Sequence, residues 1–245
     1  MNAPLQRDLF DLRLGAWQEV LADVEEVDAA IFDAPYSDKV HAGNDGLVVS
    51  NSLGYDALTP AGVAEHVKHW SPRVRGWFVT ITCHVLAPSW SKCLEAVGRY
   101  VFAPVPIVDL GMTVRQQGDG PASWACYLIA ARPRSKAWLG GWSCAGAYVR
   151  RQGDERSKRR GGKPLGIMRQ IVRDYSRPGD LILDTHAGGG TTMLAAMLEG
   201  RRAIGAEVDE DAWQDARARC LPHVERCTAM LGIQAGRTLD LFTAR

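Results

Sequence analysis

No apolar run in this chain approaches the roughly 18 to 20 residues that cross a bilayer, and the opening MNAPLQRDLFDLRLG has no signal-peptide core. A cytoplasmic protein without a membrane partner is expected. Cysteine is sparse. The six, at positions 83, 93, 126, 144, 220 and 227, form no C-x-x-C pair and have no histidines at zinc-like spacing, so neither a disulfide framework nor a structural metal is supported. Two phosphate-binding signatures, GxxxxGK[ST] and GxGxxG, are missing, and no internal repeat is visible. Net charge is lacking as well, with 29 Lys+Arg against 28 Asp+Glu. At 46% hydrophobic residues the chain is not a disordered one, which would combine low hydrophobicity with high net charge. Its 245 residues suit one large globular domain.

The neutral total conceals an uneven distribution. Glu19 to Asp33 holds six carboxylates and no base, whereas Arg132 to Lys163 holds ten bases and two acids. A polyanionic partner is therefore not excluded.

Hydrophobic periodicity organises the rest. VDAAIFDAPY reads as a buried strand, Ala29 to Asp33, ending in a polar turn. Before it, Val20, Leu21, Val24 and Val27 have helical spacing. Positions 41 to 55, rich in Gly, Asn, Ser and Asp, are expected to be a mobile loop after that strand. A helix from Thr59 to Trp70 follows, with Thr59 as N-cap and Pro60 first, and then a strand from Trp77 to Cys83. APSWSKCLEAVGRY is helical, VFAPVPIVDLGM is extended with prolines suited to an edge, and WACYLIAARP is a further strand. Positions 134 to 162 lose all periodicity and are Gly-rich, aromatic and basic. KPLGIMRQIVRDYSRPGD restores a helix ended by Pro178 and Gly179, followed by strand LILD, loop THAGGG, helix TTMLAAMLEG, strand RRAIGAEV and helix DEDAWQDARARC. Strands alternating with helices predict an α/β, doubly wound, mainly parallel sheet.

Two places carry chemistry. In LILDTHAGGGTT, glycines between a strand and a helix let backbone approach a ligand and aim helix N–H groups at an anionic group. About twenty residues on, a second strand ends in Glu207, placed to accept hydrogen bonds from ribose hydroxyls. A nucleoside with a small anionic tail fits both; a glycine turn for tight packing beside a solvated glutamate is the plainer alternative.

At these residues the chain resembles the amino-methyltransferases of DNA, in the permuted order that sets a DPPY-type catalytic motif before the cofactor motif. LDTHAGGGTT is similar to that family's LDPFxGSGTT, AIGAEVDEDAWQDARAR to its next strand and helix, Lys163-Pro164 to the lead into the cofactor motif, and IFDAPY to IxDPPY. The resemblance runs from Leu12 to Arg219. It implies a Rossmann-like methyltransferase fold with a seven-stranded-type sheet and a short basic recognition insertion, within a single domain of residues 1–245: a catalytic half at 1–133, a recognition segment at 134–162 and a cofactor half at 163–245. Thr185 and His186 replace Pro-Phe. Gly15-Ala16 stands where the family has Gly-Asp, leaving Trp17 or a backbone group to meet the cofactor adenine.

The resemblance further implies methyl transfer from S-adenosylmethionine, without a metal, to the exocyclic amine of a flipped base. Asp33 and the Ala34 carbonyl would accept the amine hydrogens, Pro35 would fix the turn, and Tyr36 would stack on the base. Asp as first residue of DAPY favours adenine N6; cytosine N4, RNA, or a catalytically degenerate DNA-binding protein are the alternatives. Cofactor contacts are expected from Lys163, Asp184, Thr185, His186, Ala187, Gly188, Gly190, Thr191, Thr192 and Glu207. Arg150, Arg151, Arg156, Lys158, Arg159 and Arg160, with Trp138, Trp142 and Tyr148 just before them, are expected to hold double-stranded DNA, and His41 to touch the flipped nucleotide or its phosphate. So short a segment suits a short target, relaxed specificity or a homodimer, as in an orphan or mobile-element enzyme of a bacterium or a phage-infected host.

Overall fold

The computed structural model describes residues 9–37, 57–110, 124–135, 141–150 and 161–230. In chain order these form β1 (Phe10–Leu14), α1 (Trp17–Val20), β2 (Ala29–Asp33), α2 (Pro60–Trp70), β3 (Phe78–Thr82), α3 (Ala87–Ala96), β4 (Tyr100–Val101), β5 (Val105–Val108), β6 (Ala125–Arg132), β7 (Tyr148–Val149), α4 (Leu165–Tyr175), β8 (Leu181–Asp184), α5 (Thr191–Leu198), β9 (Arg202–Glu207) and α6 (Glu210–Met230). All the strands join one sheet in the order β1-β9-β8-β2-β3-β6-β5-β7, with β4 also on β6. From β1 to β3 the neighbours are parallel; β6 runs antiparallel to β3, β4 and β5, and the two-residue β7 lies parallel to β5. Nine strands among the described residues thus replace the expected seven, the additions being the short β4 and β7.

The central strands are apolar on both faces because both are covered. Along β2 the side chains alternate: Ala29 and Ile31 enter a core with Ile171 and Val172 of α4, Leu194 of α5 and Ala216 of α6. Ala30 and Phe32 enter the opposite core, with Val63, Val67 and Trp70 of α2 and Trp90 of α3. The Thr59 hydroxyl accepts from the Gly62 amide at 3.1 Å and so starts α2, as its position before Pro60 predicts.

Three expectations are corrected. The predicted helix through Val27 is one turn long. Arg13 donates to the Val20 carbonyl at 2.7 Å, and the Val24 amide, which would need that carbonyl in a continuing helix, bonds Leu21 instead. Val27 then pairs with Val74 as an isolated bridge. Phe10, Leu12 and Leu14 alternate along β1, a strand absent from the periodicity reading. The last helix continues through Pro222 to Met230 rather than stopping near Cys220. Separately, the fold uses one capping device twice. Helices α3 and α5 each end in a glycine of positive φ, Gly98 and Gly200, and the next amide reaches back five residues (Arg99 to Leu94, Arg201 to Ala196). Both arginines then fold onto a serine that follows an earlier helix. Arg99 gives Nε to Ser71 Oγ at 2.9 Å and Nη2 to the Ser71 carbonyl at 2.8 Å; Arg201 makes the same bonds to Ser176 at the same distances.

Candidate active site

Strands β2 and β8 are adjacent and parallel, with Ala30 opposite Leu183. Their C-terminal ends therefore open into one crevice, the place where open α/β sheets bind ligands. Asp33 closes β2 and Asp184 closes β8, and their charges interact.

On the β2 side, Lys163 Nζ donates to Asp33 Oδ2 at 2.5 Å and lies 5.2 Å from the centre of the Tyr36 ring. The other oxygen, Asp33 Oδ1, is enclosed and has no hydrogen-bond partner among the described residues. Burial pushes the Asp33 carboxyl above its ordinary range, and Lys163 pulls it back in part. Ala34 is buried. Burial, then the neighbouring Asp33 charge, raise the Tyr36 phenol well above its usual value. The next residue pins the turn: Ser37 Oγ lies 3.6 Å from Cys83 Sγ at the end of β3. Burial alone would raise the Cys83 thiol, but bonds from Ser37, Leu86 and Val85 outweigh it and lower its pKa. Lys163, expected among the cofactor contacts, thus sits on the DAPY turn.

On the β8 side, the loop folds on itself. The His186 amide donates to Asp184 Oδ1 at 3.1 Å, and burial raises Asp184 to about 7. The Gly188 amide donates to Glu207 Oε2 at 2.6 Å and the Asp209 amide to Oε1 at 2.9 Å, so the glutamate clamps the loop while keeping further lone pairs. The glycines differ in purpose. Gly190 has φ +71°, and a Cβ there would lie 2.9 Å from Ala216 Cβ, so its bareness lets α6 approach. Gly188 has φ +50° and nothing within 4 Å of a Cβ, which leaves open space beside the loop. Ala187 is buried, its amide bonded to the Ala206 carbonyl at 3.0 Å. Thr191 Oγ1 accepts from Arg219 at 2.8 Å, and Thr192 bonds Asp184.

Between the two sides lies a pair of imidazoles, of which sequence reasoning named His186 and missed His66. His66 Nε2 is 2.8 Å from Thr185 Oγ1, which is 2.9 Å from His186 Nδ1, and the rings stack at 5.7 Å and 27°. The available signal was a polar residue at a core position of α2, among Val63, Val67 and Trp70. Burial drives His186 down to about 4; burial, then the other histidines, drive His66 well below its ordinary value.

Trp17 is buried. Its ring packs 5.1 Å from His66, 5.0 Å from His69 and 6.0 Å from Trp70. Two of the aromatics expected beside DNA are likewise structural: Tyr148 is fully buried with its hydroxyl on Asp174 at 2.7 Å, and Trp142 packs against Trp77 and under the Arg177 guanidinium at 3.9 Å. Arg150 pairs with Asp109 at 3.3 Å. Trp138, Arg151, Arg156, Lys158, Arg159, Arg160 and His41 lie outside the described residues.

A mixed sheet covered by helices on both faces, with an acid-tipped strand beside a glycine loop, is the α/β methyltransferase fold. Solved structures agree: the M1.HpyAVI–SAM complex has a TM-score of 0.65 at 21% identity, covering 85% of this chain and 98% of that one. PvuII DNA methyltransferase (cytosine-N4-specific) has a TM-score of 0.59 at 14% identity, covering 89% and 90%. Residues 121–218 match the family described as DNA methylase. Among curated proteins, type II methyltransferase M.MthZI of Methanothermobacter thermautotrophicus is 41% identical over 54 residues, 22% of this chain and 15% of that protein. DNA adenine methyltransferase YhdJ of Escherichia coli (strain K12) is 39% identical over 49 residues, 20% and 17% respectively. These matches span less than a fifth of either relative.

Proposed function

We propose that this chain is a DNA methyltransferase that moves a methyl group from S-adenosylmethionine to the exocyclic amine of a base turned out of double-stranded DNA, with adenine N6 as acceptor and S-adenosylhomocysteine as product. The observation that carries the reading is Asp33 Oδ1, an enclosed and unpartnered acceptor at the mouth shared with the glycine loop. The matched family and the YhdJ similarity support it.

The residues present fit the cofactor. Gly188 leaves space, Glu207 retains acceptor capacity, and Asp33 keeps an unpartnered oxygen at the end of β2. S-adenosylmethionine, when bound, supplies a methyl group on a positively charged sulfur. The chain must make the amine nucleophilic. Its lone pair is delocalised into the ring, and acceptors on its two hydrogens favour the tetrahedral form that attacks. Asp33 Oδ1 is one acceptor and the Ala34 carbonyl the other, a role that needs no side chain. Lys163 offsets part of the burial that raises the Asp33 carboxyl, Pro35 shapes the turn, and Tyr36 offers its ring to the extruded base. Asp184, Thr185, His186, Ala187, Gly190, Thr191 and Thr192 hold or shape the nucleoside side of the crevice. The basic segment, including Arg151, Arg156, Lys158, Arg159 and Arg160 with His41 from the earlier loop, meets the phosphates, and a homodimer would enlarge that footprint. Residues 1–133, 134–162 and 163–245 would then be the catalytic, recognition and cofactor parts of one domain.

The test is to incubate the purified protein with labelled cofactor and unmodified DNA, digest to nucleosides and identify the modified one by mass. N6-methyladenine is expected. N4-methylcytosine would move the acceptor to cytosine. No label transferred at any salt concentration overturns the enzyme reading, and DNA binding without cofactor binding would then favour a binding protein on this scaffold.

A further inference from the structure

The Thr185 hydroxyl has one proton and two imidazole nitrogens within hydrogen-bond distance, His66 Nε2 at 2.8 Å and His186 Nδ1 at 2.9 Å. One ring must therefore accept and the other donate. His66 decides which. Its remaining nitrogen, Nδ1, is buried without a partner among Trp17, Phe32, Phe78 and Trp90. Were His66 to accept from Thr185, Nδ1 would carry an N–H buried against aromatic rings with no acceptor, and orphaned buried donors are rarer and costlier than bare acceptors. His66 therefore donates through Nε2, Thr185 donates to His186 Nδ1, and His186 carries its proton on Nε2. Both rings are held neutral by burial, so the chain has one polarity across the physiological range.

His186 is the half-buried end of this chain. Its Nε2 has no acceptor among the described residues, yet it is not among the enclosed unpartnered atoms. The ring lies beside Phe32 at 6.1 Å, one residue before Asp33, and two residues after Asp184. We infer that His66 is a positioning residue which, through Thr185, fixes His186 as an N–H donor for an acceptor nitrogen on the purine ring of the nucleoside cofactor. The inference rests on the methyltransferase reading. In an adenine nucleoside the N1, N3 and N7 ring nitrogens are acceptors only, so a site with a fixed donor disfavours an analogue in which the relevant nitrogen is replaced by C–H.

Two measurements on the full chain test it. In histidine-labelled protein without cofactor, long-range proton–nitrogen NMR at pH 7 should show His186 as the Nε2–H tautomer in the wild type and a tautomer mixture in Thr185→Val. Calorimetry should show the wild type binding S-adenosylhomocysteine about tenfold more tightly than one of its 1-, 3- or 7-deaza analogues. Thr185→Val and His66→Leu should lose that discrimination, and His66→Gln, whose amide can donate to Thr185, should regain it. Thr185→Val keeps the shape of the side chain, so the comparison survives if His66→Leu fails to fold. An Nδ1–H tautomer in the wild type, or discrimination that survives loss of the relay, overturns the inference. Wild-type binding of S-adenosylhomocysteine with no preference among the deaza analogues overturns the inference alone; no binding of S-adenosylhomocysteine at all overturns it together with the methyltransferase reading.

Discussion

Lys163 and Asp33, 130 positions apart, form an ion pair of 2.5 Å that joins the lead into α4 to the last residue of β2. Lys163 opposes the desolvation of a half-buried carboxylate at the point where the proposed chemistry needs an acceptor. Replacing it with methionine leaves burial unopposed. The Asp33 carboxyl then rises further, and the acid limb of methyl transfer moves to higher pH. Initial rates measured across pH would show it, and an unmoved limb would separate Lys163 from the ionisation of Asp33.

The two positive-φ glycines of the loop should respond differently to alanine. Gly190→Ala meets both the φ penalty and the close approach of Ala216, and should cost about 2–4 kcal/mol of stability in urea unfolding. Gly188→Ala meets the φ penalty alone, about 1 kcal/mol, while adding a methyl to the space beside the loop and weakening cofactor binding. Equal losses of stability would contradict this division.

Arg99 is buried and satisfies the Ser71 hydroxyl together with the carbonyls of Ser71, Val74 and Gly76. Burial lowers its pKa to about 10, still far above neutral pH, so the fork remains charged. Arg99→Leu should destabilise the protein by about 2–4 kcal/mol by orphaning these acceptors, and Arg99→Lys should recover little because an ammonium lacks the planar fork. Denaturant midpoints of the two variants would fall close together.

The buried titratable groups set opposing pH slopes. The His186 folded-state pKa of about 4 lies below the unfolded value near 6.5, so its contribution is complete above pH 6.5 and is lost as pH falls toward 4. Asp184, raised to about 7, acts in the other direction: the folded carboxyl keeps a proton that the unfolded chain releases, and stability is lost as pH rises from about 4 to 7. Melting temperatures followed from pH 4 to 8 should show His186→Gln flattening the acid limb and Asp184→Asn gaining on the wild type up to pH 7. Curves parallel to the wild type would show that neither group is linked to folding.

Much of the fold was legible locally. The strand Ala29–Asp33, the Thr59 cap, the glycine loop and Glu207 at the end of β9 all follow from a periodicity or a turn preference within a few residues. The errors share a cause. Helical spacing through Val27 was overruled by Arg13 and by pairing with Val74, and Tyr148 and Trp142, read as part of a basic surface, are held in place by Asp174, Trp77 and Arg177.

What the sequence by itself determined is the alternation of buried strands and amphipathic helices and the two motifs at strand ends, because period and turn chemistry are properties of neighbours. Only the tertiary structure decided what those motifs face. The β2–β8 pairing brings Lys163 to Asp33 across 130 positions and His66 to Thr185 across 119, and no local pattern encodes either contact. Each depends on which strands lie side by side. The lack of net charge and of a phosphate-loop signature takes its meaning there too: the crevice is built from backbone amides, the buried Asp184, the half-buried Asp33 paired with Lys163, and neutral imidazoles rather than from a concentration of one charge.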